Sequence, residues 1–342
     1  MPCGLTPLSF SGSTRGLPEN ATVKRKIIAA SRAEPAISIH RRGPEDRWRA
    51  ADGSTRLLDA PICDLQETAM TQDPHHRDLP PILAGKDYDA ASVFEAANLL
   101  REARRQKTVA EIPVPEICVL DPDGDILRAL RRAGRAVRSP GWACYHTELY
   151  EFDHEGELFG IIGCAVGASF AVLVAEELFV SGCRFMVSVT SAGQIHRRSA
   201  SPYFVLIDRA LRDEGTSYHY LPPAEFVEAD RPLAAAAMQA LQDTGQTVYR
   251  GTTWTTDAPF RETAAAIERA RARGILAVEM EAAALYAFAA ARGKPVLCFA
   301  HVTNQMAIVN GDFEKGEAHG SIAALAVIAA AARSWRAADK PI

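Results

Sequence analysis

Gly274-Ile-Leu-Ala-Val-Glu-Met-Glu-Ala-Ala-Ala-Leu-Tyr-Ala-Phe288 is the stretch on which the reading of this chain turns. Ile275 to Val278 is a short apolar run that suits a buried strand, and the alanines after it suit a helix. Glu279, Met280 and Glu281 sit at the turn between the two. Helix N-termini favour negative charge, so one reading is that both glutamates complement the dipole. The other is a sugar site, in which a carboxylate accepts hydrogen bonds from neighbouring hydroxyls and Met280 offers an apolar surface.

Working outward, strands and helices alternate. Downstream, Lys294 to His301 is a strand running into Val302-Thr-Asn-Gln305, and about Glu317 to Trp335 is an apolar helix. Upstream, Gln246 to Thr253 is a strand ending near Trp254 to Arg261, and Pro232 to Leu241 is an Ala-rich helix. Tyr203 to Ile207 and Arg184 to Val189 are strands, the second ending in Thr190-Ser-Ala-Gly193. A helix ending near Val180 carries Ala171, Val174, Ala175 and Leu178 inward. His146 to Glu151 and Glu157 to Ala165 bracket Asp153-His-Glu-Gly156 as a β-hairpin. Glu116 to Leu120 is the first buried strand, followed by Asp123-Gly-Asp-Ile-Leu-Arg128 and a basic helix to about Arg135. Apolar residues at Ala91, Phe94, Ala97 and Leu100 predict an amphipathic helix from Tyr88 to about Arg105.

This alternation predicts an α/β fold, a mixed central sheet with helices on both faces. Polar residues collect just after Leu120, Val189, Thr253, Val278 and His301. Ligands of open α/β sheets sit beyond the carboxyl ends of the strands, so these ends are expected to build one pocket. The loop at Gly124 has the strand–loop–helix form in which backbone N–H groups hold an anion.

Composition narrows the class. The chain has 342 residues, 48% of them apolar and 23% charged, with a formal net charge of −4. That balance suits a globular protein and offers no nucleic-acid-binding surface. No run reaches the length of a transmembrane helix, and the first residues lack the pattern of a signal peptide. Seven scattered cysteines without a Cys-x-x-Cys pair point to free thiols in a reducing, cytoplasmic setting. Nine histidines without metal-ligand spacing predict no metal site. Residues 1–85, rich in Pro, Gly, Ser and Arg with basic clusters at 24–26 and 41–42, read as a mostly disordered extension. Residues 86–338 read as a single catalytic domain, and Met70 is a candidate natural start.

Glu279-Met-Glu-Ala-Ala283, with Gly274-Ile-Leu276 before it, resembles the ribose-binding signature of the nucleoside phosphorylase family, which includes purine nucleoside and uridine phosphorylases and related nucleosidases. Phe204 to Ile207 followed by Asp213 to Ser217, the run from Cys164 to Ile195, and Gly124 to Arg128 resemble further segments of that family in register. The resemblance covers about residues 115–335. It implies a three-layer α/β/α sandwich, assembled as a homo-oligomer (a dimer or a trimer of dimers). It implies cleavage of an N-glycosidic bond, with phosphate as co-substrate and no cofactor. A ribonucleoside then yields free base and ribose 1-phosphate through an oxocarbenium-like transition state, which needs the sugar held and the leaving base stabilised.

Carried over by position, Glu281 accepts hydrogen bonds from the ribose hydroxyls and Met280 packs under the sugar. Gly124, Arg128 and Ser191 hold phosphate, and Glu279 and Gly193 join the substrate-binding positions. Asn304 stands where the purine enzymes of the hexameric group have an acid. An amide donates a hydrogen bond to a base but is no general acid. Phe260 and Arg261 fall in the base-recognition loop.

The chain also departs from the pattern. Ser188 and the Tyr145–His146 region replace two arginines of the phosphate site, and the loop before Gly124 carries an extra residue. Arginine–phosphate contacts are strong, each charge-assisted bond being worth about 1.5–3 kcal/mol. His146 or Arg261 is a candidate replacement. Thr190-Ser-Ala-Gly193 also resembles the nucleosidases of the family, in which water attacks; Asp121, Asp123 and Asp125 are then candidate bases, though each also suits a turn. A nucleoside-binding protein without turnover is the third reading. His196, His301 and Trp254 are weaker candidates, each as well suited to packing, and Trp142, in a Pro-Gly turn, is assigned no role.

Overall fold

The computed structural model describes residues 79–306 and 312–339. The expected disorder of residues 1–78, the Met70 start and the two basic clusters lie outside the described residues.

Strand β1 (Ile117–Asp121) is buried at every position, as an apolar run with parallel neighbours on both sides requires. Those neighbours are β4 (Glu157–Gly163) and β5 (Phe185–Gln194). β4 pairs with β3 (Tyr150–His154) through a two-residue turn, Glu155-Gly156. Both turn residues have positive φ, the geometry whose twist matches a hairpin. β3 in turn carries the short edge strand β2 (Val137–Arg138).

On its far side β5 pairs in parallel with β10 (Val296–Asn304) and antiparallel with β9 (Ala277–Glu279). β6 (Tyr203–Asp213) lies antiparallel to β10 and parallel to β8 (Val248–Thr256), and β8 pairs in parallel with β9. Strands β5, β10, β6, β8 and β9 therefore close a circuit at one end of the mixed sheet, with β7 (Phe226–Glu228) beside β6.

Helices cover the sheet in two groups. α3 (Ala168–Val180) packs on α1 (Ala96–Lys107) and α6 (Ala282–Arg292); α7 (Ser321–Ala338) packs on α2 (Asp125–Arg132) and α4 (Arg231–Leu241). The result is the expected three-layer α/β/α fold around one large apolar core. Contrary to the sequence reading, the segment Glu317–Ala338, most of it α7, is long and apolar enough to cross a membrane, but here α7 packs on α2, α4 and β5. Cys118, Cys144, Cys183 and Cys298 are free and buried, while Cys164 is exposed.

Three local expectations change. The first helix starts at Ala96 rather than Tyr88. The Asp87 carboxylate accepts the N–H groups of Asp89 and Ala90, a local turn that competes with helix, and Val93 and Phe94 are exposed. Strands β5, β6, β8 and β10 run on through polar residues taken as loop, because the circuit supplies each with a pairing partner there. A helix absent from the sequence reading, α5 (Ala264–Ala272), is capped by the Thr263 hydroxyl, which accepts the Ala266 N–H. Only Ala270 of α5 is buried, so its apolar period is too weak to read.

Candidate active site

The turn between β9 and α6 separates the two glutamates. Glu279 is saturated: its Oε1 accepts the Thr253 and Thr255 hydroxyls at 3.0 and 2.5 Å, and its Oε2 accepts the N–H groups of Glu281 and Ala282 at 2.7 Å each. That fills the roughly four acceptor positions of a carboxylate. Glu279 was expected to bind substrate; it instead caps α6 and ties β8 to β9.

Glu281 is 1% exposed and makes no cap bond. Its Oε1 accepts the Gly167 N–H at 2.7 Å, linking α6 to the start of α3. Burial, then the Glu279 carboxylate, push the Glu281 carboxyl up to about 8, against the pull of the Gly167 N–H and the Thr190 hydroxyl. Met280 beside it is half-buried.

The ends of β1 and β5 bring together the residues expected to hold phosphate, but with their donors engaged. The Asp123 carboxylate accepts the Ser191 N–H at 2.7 Å and the Ser191 hydroxyl at 2.9 Å. Arg128 donates to Asp125 Oδ1 and to the Asp123 carbonyl, both at 2.6 Å. Gly124 was expected to offer its N–H to an anion; that N–H instead points to Asp121, to its carbonyl at 2.8 Å and its Oδ1 at 3.1 Å. Asp121 also accepts the Leu127 N–H at 2.9 Å, so its role is to shape the loop. Burial pushes its carboxyl up to about 7, the N–H of Leu127 opposing. Gly124 is at φ +73°, and a Cβ there would lie 2.6 Å from Cys164 Sγ, which explains the glycine.

Sequence reasoning missed Lys315, His319 and Gly320, which line the same cleft with His301. Lys315 Nζ donates to Asp125 Oδ2 at 2.5 Å. His301 stacks on Phe204 with centroids 4.4 Å apart, and burial, helped by Lys315, pushes its pKa down to about 4. No local signal marks Lys315, which reaches the cleft from 190 residues beyond Asp125 in the chain.

Where β5, β9 and β10 meet, Gly193 stands opposite Val278 and Asn304. A Cβ on Gly193 would lie 2.4 Å from Met306 Sδ. The Asn304 amide oxygen accepts the Met306 N–H at 2.9 Å and its nitrogen donates to the Thr303 hydroxyl at 3.2 Å. Glu281, Ser191, Gly193 and Asn304 thus belong to adjoining strand ends, whereas Phe260 and Arg261 join none of these contacts. Phe260 is 99% exposed and Arg261 exposed beside it, on the turn Pro259–Arg261. Tyr145, His146 and His196 are exposed, Ser188 is buried within β5, and the Trp142 and Trp254 indoles bond to Thr147 and Asp213. Among the described residues no group of acidic, histidine or cysteine side chains has metal-binding geometry.

A buried carboxyl able to accept hydroxyl donors, an amide able to donate, and a strand end whose donors and two cations are held by Asp123 and Asp125 suit a polar ligand bearing a sugar.

Residues 116–336 match the family model of the phosphorylase superfamily. The chain is 27% identical over 159 residues to a DeoD-type purine nucleoside phosphorylase of Hahella chejuensis, spanning 46% of this chain and 67% of that protein. Two crystal structures of uridine phosphorylase from Vibrio fischeri ES114 share the fold. One, complexed with 6-hydroxy-1-naphthoic acid, aligns at TM-score 0.55 and 19% identity over 68% of this chain and 93% of that one. The other aligns at TM-score 0.56 and 21% identity over 67% and 95%.

Proposed function

The chain belongs to the phosphorylase superfamily, and on that premise we propose that it cleaves the N-glycosidic bond of a ribonucleoside with phosphate, releasing the free base and ribose 1-phosphate. The observation that carries this reading is Glu281, a buried carboxyl freed from helix capping by Glu279, set just after β9 and bonded to the Gly167 N–H at the start of α3. In its ionised form it accepts hydrogen bonds from the ribose hydroxyls, and these bonds hold the sugar as positive charge develops at its anomeric carbon. Met280 supplies the apolar floor, Asn304 donates to the departing base, and Ser191 and Arg128 are the contacts for phosphate. The likeness to both purine and uridine phosphorylases leaves the base as either class.

A second reading, hydrolysis by water, is favoured by one observation: Asp123 already holds both donors of Ser191. An assay separates the two. Free base is measured from a panel of purine and pyrimidine nucleosides with and without phosphate. Release that needs phosphate supports phosphorolysis, equal release without it supports hydrolysis, and binding without release leaves a nucleoside-binding protein. The free, buried thiols favour a cytoplasmic setting for this chemistry, and the exposed Val93 and Phe94 favour a homo-oligomer, which sedimentation would register.

A further inference from the structure

The cleft between β1, β5 and β10 holds donors suited to an oxyanion, and the protein's own carboxylates occupy them. The Asp123 carboxylate sits on Ser191 as a bidentate anion would, one oxygen on the backbone N–H and the other on the hydroxyl. The two cations of the cleft are engaged as well. Arg128 and Lys315 share the two oxygens of Asp125, and Arg128 also donates to the Asp123 carbonyl. Counting formal charges, Arg128 and Lys315 balance Asp123 and Asp125, so an incoming dianion meets no net positive field. Charge-assisted bonds of this type are among the stronger contacts a protein makes, and like charges placed on one set of donors repel.

We propose that Asp123 is the specificity-determining residue for the nucleophile: its carboxylate competes with phosphate for the Ser191 donors, so that phosphate binds only as Asp123 leaves. Resting on the phosphorolytic reading above, this assigns Asp123 a role in selecting between phosphate and water. The loop is built for such an exchange. Asp123 precedes Gly124, and Asp121, not Asp123, anchors the loop by accepting the N–H groups of Gly124 and Leu127. The Asp123 carboxylate therefore holds Ser191 without also holding the turn, which keeps the residue's carbonyl on Arg128. The side chain spans 68 positions of sequence to reach Ser191, so the contact belongs to the cleft and not to local turn chemistry.

The test is calorimetric titration of inorganic phosphate, with no nucleoside present, into the full chain and into Asp123→Asn and Asp123→Ala. The asparagine keeps the shape of the side chain, so the comparison survives if the alanine variant fails to fold. Phosphate is expected to bind the asparagine variant about tenfold more tightly than the parent, the size of one charge-assisted contact released. In turnover assays the KM for phosphate is expected to fall while the KM for nucleoside holds, a split that a purely structural role does not produce. Unchanged or weaker phosphate binding in Asp123→Asn overturns the proposal even where cleavage remains phosphate-dependent. Tighter phosphate binding in a protein that cleaves no nucleoside leaves the competition for Ser191 standing but overturns the role in choosing a nucleophile, together with the phosphorolytic reading.

Discussion

Glu279 and Glu281 stand two residues apart, both buried, and the carboxylate of Glu279 accepts the backbone N–H of Glu281 at 2.7 Å. One glutamate thus completes the start of α6 and leaves the other without that duty. The dipole reading and the sugar reading of the same short stretch are divided between two residues: Glu279 serves the helix start, and Glu281 is left for the proposed sugar contact. Repulsion between the pair contributes to raising the Glu281 carboxyl, so the cap also tunes its neighbour.

Glu279→Ala should damage the fold before it damages chemistry. It strands two buried threonine hydroxyls and two N–H groups at the start of α6. Each unsatisfied buried donor costs about 1–3 kcal/mol, so a loss of about 3 kcal/mol or more in urea unfolding is expected. A variant as stable as the parent would show that the cap carries no energy.

Glu281→Gln should retain the fold and lose turnover. The amide accepts at one atom only, and a neutral group gives no stabilisation to the positive charge developing on the sugar. In the parent, kcat/KM for nucleoside should rise with pH toward about 8, since that parameter reports the free protein and the accepting form is the carboxylate. A flat profile from about pH 6 to about 9 would remove Glu281 from the sugar contact.

Much of this arrangement is legible in the sequence, and the limits have physical causes. β1, the Asp153–Gly156 hairpin and α3 are marked by strong apolar periods and turn chemistry. The polar residues at strand ends point to one cleft, since an α/β sheet binds ligands there. What the sequence hides is pairing at a distance. The circuit of β5, β10, β6, β8 and β9 depends on β10 serving two partners, which no local pattern encodes. The Asp123–Ser191 and Asp125–Lys315 contacts join residues far apart in the chain, and no spacing rule reaches them. Nor does residue type tell which of two glutamates at one turn bends back to cap it; that follows from the backbone at Glu281, at φ −131° and ψ −37°.

Burial of Glu281 also sets a pH dependence of stability. Its folded pKa of about 8 lies above the ordinary value of 4.5, so the folded state binds the proton more tightly. The contribution is fully present below pH 4.5 and is lost as pH rises to about 8. The glutamine side chain of the variant does not titrate, so Glu281→Gln should gain stability over the parent across this window, by up to about 5 kcal/mol at its upper end. Urea midpoints at about pH 4.5 and about pH 8 test this, and an equal difference at both values would contradict it.

His301 supplies the opposite sign. Its ring is stacked on Phe204, held against the backbone at Gly320 and pushed down to about 4 by burial, then by Lys315. The unfolded chain protonates it near 6.5, so protonation favours unfolding. Its contribution is therefore present above about pH 6.5 and lost as pH falls through about 4, to a total of about 3 kcal/mol. Asp123 and Asp125 pull the other way and limit the shift. His301→Phe keeps an aromatic ring on Phe204 and removes the titration. It should reduce the loss of stability between about pH 6.5 and about pH 4, measured by urea unfolding against the parent at each pH. If both proteins weaken equally over that interval, the ring is not held neutral by its burial, and the acid sensitivity lies with other groups.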